Sequence, residues 1–265
     1  MAGSGRGGRE RPVDHSTGFT KHRPGAPAGF FGVEAAGLRW LAVPGGAPVA
    51  EVLAVEPDAI TLTRVVSAPP TTEAAYAFGR GLARTHGAGA AAFGIGPDGW
   101  TGDGFIGDAP LSLRSHPTWG AFYAAERVLP YAREAHRRGA LSSTELALIE
   151  RLGVRLTEGE FDDDAPPARI HGDLWAGNVL FTAESATLID PAAQGGHRLT
   201  DLAMLALFGL PHLEQVFAGY TDAHPHLPAQ WPELIALHQL HPLLVHAVLF
   251  GSSYGSRAAA LAARY

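Results

Sequence analysis

The chain has 265 residues, 46% of them hydrophobic and 17% charged, with a formal net charge of −6. That length suits one two-lobed enzyme or two small domains with a real core, and the negative balance excludes the electrostatic footprint of a nucleic-acid binder. The absence of cysteine excludes disulfides, thiolate-held zinc and thiol redox switching. With no apolar core at the N-terminus and no run of about 18 uncharged apolar residues, the expectation is a cytoplasmic monomer without a membrane partner.

Residues 1–14 are polar and rich in Gly and Arg. Gly18 to His22 reads as a short strand carrying Lys21, and Pro24 to Gly29 as a loop. Phe30 to Leu41 has helical spacing, with Phe31, Ala35, Leu38 and Leu41 on one side. Val49 to Val55 and Ile60 to Val66 read as strands separated by the turn Glu56-Pro57-Asp58. Ser67 to Pro70 breaks the chain before a helix over Thr72 to His86, and a lobe boundary is expected there, dividing the chain into 1–68 and 69–265. Beyond it, Pro117 to Arg138 and Ser142 to Leu156 read as helices, the second capped by Ser142 or Ser143 with Glu145 nearby. The acidic, Pro-containing segment Glu158 to Pro167 is a surface loop, and helices over Thr200 to Leu207, Leu213 to Ala223 and Glu233 to Phe250 complete the pattern. No internal repeat is visible. The fold class is α+β, strands first.

The chemistry concentrates in Arg169 to Phe181, where Asp173 and Asn178 stand five residues apart between two short apolar runs. Asp190 follows at the end of a third apolar run, Ala186 to Ile189. A base, a metal ligand and a second metal ligand at the end of the next strand are the layout of a kinase catalytic loop. Asn with Asp suits Mg²⁺, which takes few protein oxygens and completes its shell with phosphate and water. A polar hairpin turn also uses Asp and Asn, but gives no reason for the second carboxylate at Asp190. Arg133, Arg137 and Arg138 form a basic cluster that reads as a solvated helix face. The thirteen histidines show no zinc-site spacing and read as scattered helix and loop residues.

His171-Gly172-Asp173-Leu174-Trp175-Ala176-Gly177-Asn178 resembles the signature of the fructosamine (ketosamine) kinase family. Aminoglycoside and choline kinases share the His-Gly-Asp and the Asn but usually lack the Trp-x-Gly. Ile189 to Ala192, Gly195 to Arg198, Asp201 to Leu205, Trp119 to Tyr123 with Glu126 to Val128, and Gln239 to His246 continue the resemblance, which runs from about Phe19 to about Tyr254. It implies a protein-kinase-like fold with a small β-rich N-lobe and a larger helical C-lobe, and ATP and Mg²⁺ as cofactors. The acceptor would be a ketosamine hydroxyl, in a deglycation repair role. In that frame Asp173 is the catalytic base, Asn178 and Asp190 hold the metal, and Lys21, Glu34, Val65 and Val66 serve the nucleotide. His171 and Asp201 support the loop, and Trp175 and Asp103 face the acceptor. Lys21 and Glu34, thirteen residues apart, are expected to pair.

Departures from the family pattern bear on both substrates. Only twenty residues precede Lys21, so Gly5-Arg6-Gly7-Gly8 is the candidate phosphate turn and a shortened N-lobe is expected. Asp108 to Leu113 replaces a Gln/Asn-containing stretch, and Leu199-Thr200 replaces a Glu. Two alternatives therefore stand beside the ketosamine reading: an aminoglycoside- or choline-type acceptor on the same machinery, or a weakly active pseudokinase that binds nucleotide.

Overall fold

The computed structural model describes residues 18–224, 227 and 231–265, so Gly5 to Gly8 lies outside the described residues. Strand β1 (Gly18–His22), helix α1 (Phe30–Leu41) and strands β2 (Val52–Glu56) and β3 (Ala59–Thr63) come first. The strands form an antiparallel sheet in the order β1-β3-β2, with Lys21 opposite Ile60. Helix α1 packs on this sheet through the stripe its spacing predicts: Phe31, Ala35 and Leu38 are buried with Ala50, Ile60 and Leu62. β2 starts at Val52, later than the expected Val49, and runs to Glu56, while β3 stops at Thr63, short of the expected Val66, because the chain then leaves the sheet and Ala68 N donates to Phe181 O.

The mostly helical part of the chain opens with α2 (Thr72–Gly87), capped by the Thr71 side chain on Ala74 N at 3.1 Å. A hairpin, β4 (Gly104–Ile106) and β5 (Ala109–Leu111), turns at Gly107-Asp108; the sequence reading left this segment without strands. The expected helix over 117–138 is α3 (Trp119–Phe122), a π-helical turn (Tyr123–Val128) and α4 (Leu129–Arg137). Pro130 explains the irregularity. It brings no N–H to the Glu126 carbonyl, and that carbonyl accepts from the Arg127 guanidinium at 2.9 Å instead. Helix α5 (Ser143–Thr157) opens with the expected capping box between Ser142 and Glu145.

Four short strands frame the loop from His171 to Asn178: β6 (Ala168–Ile170), β7 (Val179–Phe181), β8 (Ala186–Leu188) and β9 (Gln194–Gly196), with β6 paired to β9 and β7 to β8. Helices α6 (Leu199–Phe208), α7 (Leu213–Ala223), α8 (Trp231–His238), α9 (Leu240–Phe250) and α10 (Ser252–Ala262) follow. The reading of one helix over 233–250 is corrected to two. Pro242 supplies no N–H for the His238 carbonyl, so the helix restarts at Leu240, where proline is tolerated in the first turn. Taken together, the stretch Trp231–Phe250 is long and apolar enough to cross a membrane by composition, but most of it is buried in this core. Helix α10, not expected from sequence, begins after Gly251 at φ 101°.

The two lobes are joined by direct packing. Gly37 brings α1 onto Pro191 and Ala193, while Ala50 N donates to Leu188 O and Leu188 N to Pro48 O at 3.0 and 2.8 Å. Arg169 donates to Trp40 O and Gly89 O, both at 2.9 Å, with its guanidinium 4.9 Å from the Trp40 ring. The order of elements thus gives an α+β, two-lobed molecule with a cleft between the lobes.

Candidate active site

Lys21, Glu34 and Asp190 meet at the cleft. Lys21 Nζ donates to both Glu34 oxygens at 3.0 Å and to Asp190 Oδ1 at 2.9 Å. The expected Lys21–Glu34 pair is therefore present, and Asp190 adds a second carboxylate that sequence reading had not linked to it. The α1–Pro191 packing explains the meeting, because Glu34 lies one turn before Gly37 on the helix that rests on this segment. Burial of Lys21 disfavours its charge, but the carboxylates of Glu34 and Asp190 outweigh burial and raise its pKa. Burial also raises the Glu34 carboxyl, with Lys21 opposing and Asp190 adding to the rise.

The loop from His171 to Asn178 is held from beneath by one buried carboxylate. Asp201, at the start of α6, accepts from His171 N at 2.7 Å, Gly172 N at 2.9 Å and His86 Nε2 at 3.1 Å. His86 Nδ1 in turn meets the Tyr220 hydroxyl at 2.8 Å. Burial pushes the Asp201 carboxyl up, yet the bonds and charge of His86, with His171, bring it below the ordinary value. Its ionised form is thus the bonded one. Asp201→Ala is expected to cost about 3–5 kcal/mol, since it strips a fully buried partner from two backbone N–H groups and an imidazole; calorimetric melting of the variant checks it. His86 and Tyr220 were absent from the sequence reading, since neither sits in a motif and only the fold of α2 and α7 brings them under the loop.

Above this support the loop is tightly specified. His171 Nε2 donates to Ile189 O at 2.8 Å, and its Nδ1 accepts from Asp173 N at 3.2 Å. Gly172 has φ 79°, and a Cβ there would strike the Ala192 carbonyl, so glycine is required. Asn178 Nδ2 donates to Asp173 O at 2.8 Å and to Asp173 Oδ2 at 3.1 Å. With the amide nitrogen so engaged, Asn178 Oδ1 is left as an oxygen donor. Asp190 has φ 53°, in the left-handed region that Asp tolerates better than most residues. Burial raises the Asp173 carboxyl above its ordinary range, opposed by His171, Asn178 and His246 and assisted by the Asp190 charge.

Two chambers open from this centre. A polar one of about 270 Å³ is lined by Lys21, Glu34, Asp173, Trp175, Asn178 and Asp190, with Phe105 to Gly107 forming part of its wall. An apolar one of about 400 Å³ is lined by Phe19, Ala50, Leu62, Val65, Leu180 and Ile189, and shares Lys21 and Asp190 with the first. Trp175 is 44% exposed, so it is not packed beneath the loop; its ring lies over Gly177 so closely that a Cβ there would collide with it. That contact gives the Trp-x-Gly spacing a physical cause.

Two expected residues sit elsewhere. Val66 is 82% exposed and does not line the apolar chamber, because the chain has already left the sheet. Asp103 lines neither chamber: its Oδ1 accepts from Leu113 N at 3.1 Å, bracing the β4–β5 hairpin. The cleft wall is instead made by Phe105, Ile106 and Gly107 of that hairpin, which the sequence reading had not singled out. Of the histidines, His238 is buried against the Trp119 ring at 4.5 Å. No group of three or more His, Cys, Asp or Glu side chains that could hold a metal occurs among the described residues.

The fructosamine kinase family model matches residues 13–265. A Lactiplantibacillus plantarum protein named "Probable ketoamine kinase" is 31% identical over 245 residues, covering 91% of this chain and 84% of its own length. The crystal structure of a Thermobifida fusca chain assigned as a fructosamine-3-kinase superposes with a TM-score of 0.85 at 47% identity, covering 94% of this chain and 86% of that one. A thermostable mutant of aminoglycoside phosphotransferase APH(4)-Ia, in ternary complex with AMP-PNP and hygromycin B, shares the fold at 19% identity and a TM-score of 0.53, over 89% of this chain and 84% of its own. A family model spanning nearly the whole chain and a relative above 30% identity over most of it lead to one conclusion: this chain belongs to the fructosamine kinase family.

Proposed function

We propose that the chain is an ATP- and Mg²⁺-dependent kinase that phosphorylates a sugar hydroxyl of ketosamines. The observation that carries this reading is the meeting of Lys21, Glu34, Asp173, Asn178 and Asp190 where a polar chamber joins an apolar one. The apolar chamber suits a nucleobase. Lys21, fixed by Glu34, suits the phosphates at the junction. The polar chamber, with Asp173 on its wall, suits a carbohydrate hydroxyl. In this reading the lobes divide near residue 68, where the chain has left the small sheet.

Two protein oxygens fit Mg²⁺, which keeps most of its shell for phosphate and water, and Asn178 Oδ1 with the Asp190 carboxylate supply them. Bound there, the metal would offset charge on the transferred phosphoryl group. Asp173 orients the acceptor hydroxyl and takes its proton as the new phosphate ester forms. Asn178 keeps the Asp173 carboxylate aimed through its Nδ2 bond, and His171, Gly172 and Asp201 hold the loop backbone so that this aim costs no reorganisation. On the family's chemistry the hydroxyl is the sugar 3-hydroxyl, and its phosphorylation destabilises the adduct and frees the amine, a deglycation repair.

Trp175 gives this reading its acceptor side. An exposed indole on the cleft wall offers a face to a sugar and to the ketosamine's ammonium. Trp175→Ala is expected to raise the Michaelis constant for ketosamines about two- to thirtyfold while that for ATP stays near wild type. The melting temperature should hold, because the ring is partly exposed; steady-state kinetics beside calorimetry checks both. The reading as a whole is tested by incubating the purified protein with ATP and Mg²⁺ against a panel of ketosamines and a panel of aminoglycosides. Turnover of aminoglycosides alone, or nucleotide binding with no turnover of either, would overturn it.

A further inference from the structure

Arg127 is 2% exposed, and its guanidinium is bonded to neutral oxygens. Nε and Nη2 both donate to Gln194 Oε1, the first at 3.0 Å. Nη2 also donates to Ser112 O at 2.8 Å and Nη1 to Glu126 O at 2.9 Å, and the group lies 4.7 Å from the centre of the Phe122 ring. Burial disfavours the charge and lowers its pKa to about 10, so the side chain is still a cation at neutral pH. A buried cation bonded in this way adds little stability that a well-packed neutral side chain would not. The phosphoryl-transfer chemistry described above uses neither Arg127 nor Gln194, and neither lines a chamber.

The oxygens that Arg127 bridges belong to two walls of the polar chamber. Ser112 directly follows β5, which pairs Pro110 with Phe105 and Ala109 with Ile106, and Phe105 to Gly107 line that chamber. The Tyr131 hydroxyl adds a bond to Pro110 O at 2.7 Å. On the other side, Gln194 opens β9 opposite Ile170, the residue before His171, and stands two residues after Ala192, which also lines the chamber. Gln194 Nε2 lies 3.2 Å from where a Cβ on Gly172 would stand. One guanidinium therefore ties the hairpin to the root of the loop that carries Asp173. It does so from the π-helical turn Tyr123–Val128, a kind of helix interruption that recurs at functional sites.

Resting on the kinase reading above, we infer that Arg127 is a positioning residue for phosphoryl transfer: through Ser112 and Gln194 it holds the β4–β5 hairpin and the Asp173 loop at a fixed separation. An acceptor bound in the polar chamber lies against the hairpin while its base stands on the loop. Their separation then decides how often hydroxyl and carboxylate meet at reacting distance. The nucleotide side is independent of this clamp, because none of Phe105, Ile106, Gly107, Gly172 or Ala192 lines the apolar chamber. Lysine cannot replace the arginine here. It is a point charge, whereas the planar fork reaches oxygens on two separate strands at once.

The test measures steady-state kinetics with a ketosamine and ATP, with each rate divided by the fraction of sites that bind nucleotide in a titration of the same sample. Arg127→Lys is expected to lower kcat/KM for the ketosamine about 10- to 100-fold, through both kcat and the ketosamine KM, while KM for ATP stays within about twofold of wild type. Gln194→Leu breaks only the loop side of the clamp, so kcat should fall with both Michaelis constants near wild type. The double variant should be no slower than Arg127→Lys alone, because both substitutions break the same link. If Arg127→Lys does not fold, Gln194→Leu carries the test by the same measures. Wild-type kcat/KM in the folded variants would overturn the inference. So would a loss that vanishes once rates are divided by the fraction of nucleotide-binding sites, ATP and ketosamine constants that rise together, or losses that multiply in the double variant. An active wild type with unaffected variants sinks the clamp alone, whereas a wild type that phosphorylates no acceptor sinks the kinase reading beneath it.

Discussion

Asp173→Asn is expected to lower kcat by about 10²–10⁴-fold while nucleotide affinity and melting temperature stay near wild type. The substitution keeps the shape of a side chain that lies on the wall of the polar chamber and touches Asn178 Nδ2 at 3.1 Å, but removes its basicity. The loop itself rests on Asp201, not on the Asp173 carboxylate, so the fold should not follow the activity down. The raised pKa of Asp173 adds a pH signature. Burial favours its protonated form, so as pH falls the base is lost earlier than an ordinary aspartate would be. The acid limb of the kcat/KM profile should lie above the usual carboxylate range and be missing from the variant's residual activity. Turnover at the wild-type rate in Asp173→Asn would remove this residue from the chemistry.

The second large effect is expected at Asp190. Asp190→Ala should reduce Mg²⁺-supported turnover by about 10²-fold or more, the scale of removing one group that stabilises transition-state charge. It should also abolish the gain in nucleotide affinity that Mg²⁺ gives. The carboxylate accepts from Lys21 at 2.9 Å, and Asp190 lines the polar chamber together with Asn178. Its backbone, at φ 53°, makes alanine a strained replacement of about 1–3 kcal/mol. Asp190→Asn is the better partner variant, because Asn also tolerates the left-handed region. If Asp190→Asn is as stable as wild type and still loses the metal response in isothermal titration, the loss comes from the carboxylate. A metal titration unchanged in both variants would refute the role.

The residues that the sequence exposed most clearly are those fixed by local rules. The spacing of Asp173, Asn178 and Asp190 was readable because the first two stand between short apolar runs and the third ends one. The buried stripe of α1 was readable because helical periodicity alone sets it, and the Ser142–Glu145 capping box because both partners lie within one turn. The strands of the β4–β5 hairpin and β9 were not, since three-residue strands rich in Gly carry too little pattern to register. Asp103 was drawn to the cleft by its motif neighbours, yet an exposed aspartate beside a free backbone N–H satisfies that N–H first, and Leu113 N provides it.

By itself the sequence determined which groups this protein has for its site: Asp173, Asn178 and Asp190 at their loop spacing, and a lysine with a glutamate on the following helix. Local spacing suffices for that, because each group is defined by its neighbours within a turn or a strand. Only the tertiary structure decided how these groups converge. Docking α1 onto Pro191 and Ala193 brings Lys21 and Asp190, 169 residues apart, to 2.9 Å, and packing α2 and α7 under the loop places His86 and Tyr220 behind Asp201. The corner at Gly251 set His246 of α9 against Tyr254 of α10. Such contacts span most of the chain and depend on which buried faces fit one another, a property of the packed whole that no local pattern carries.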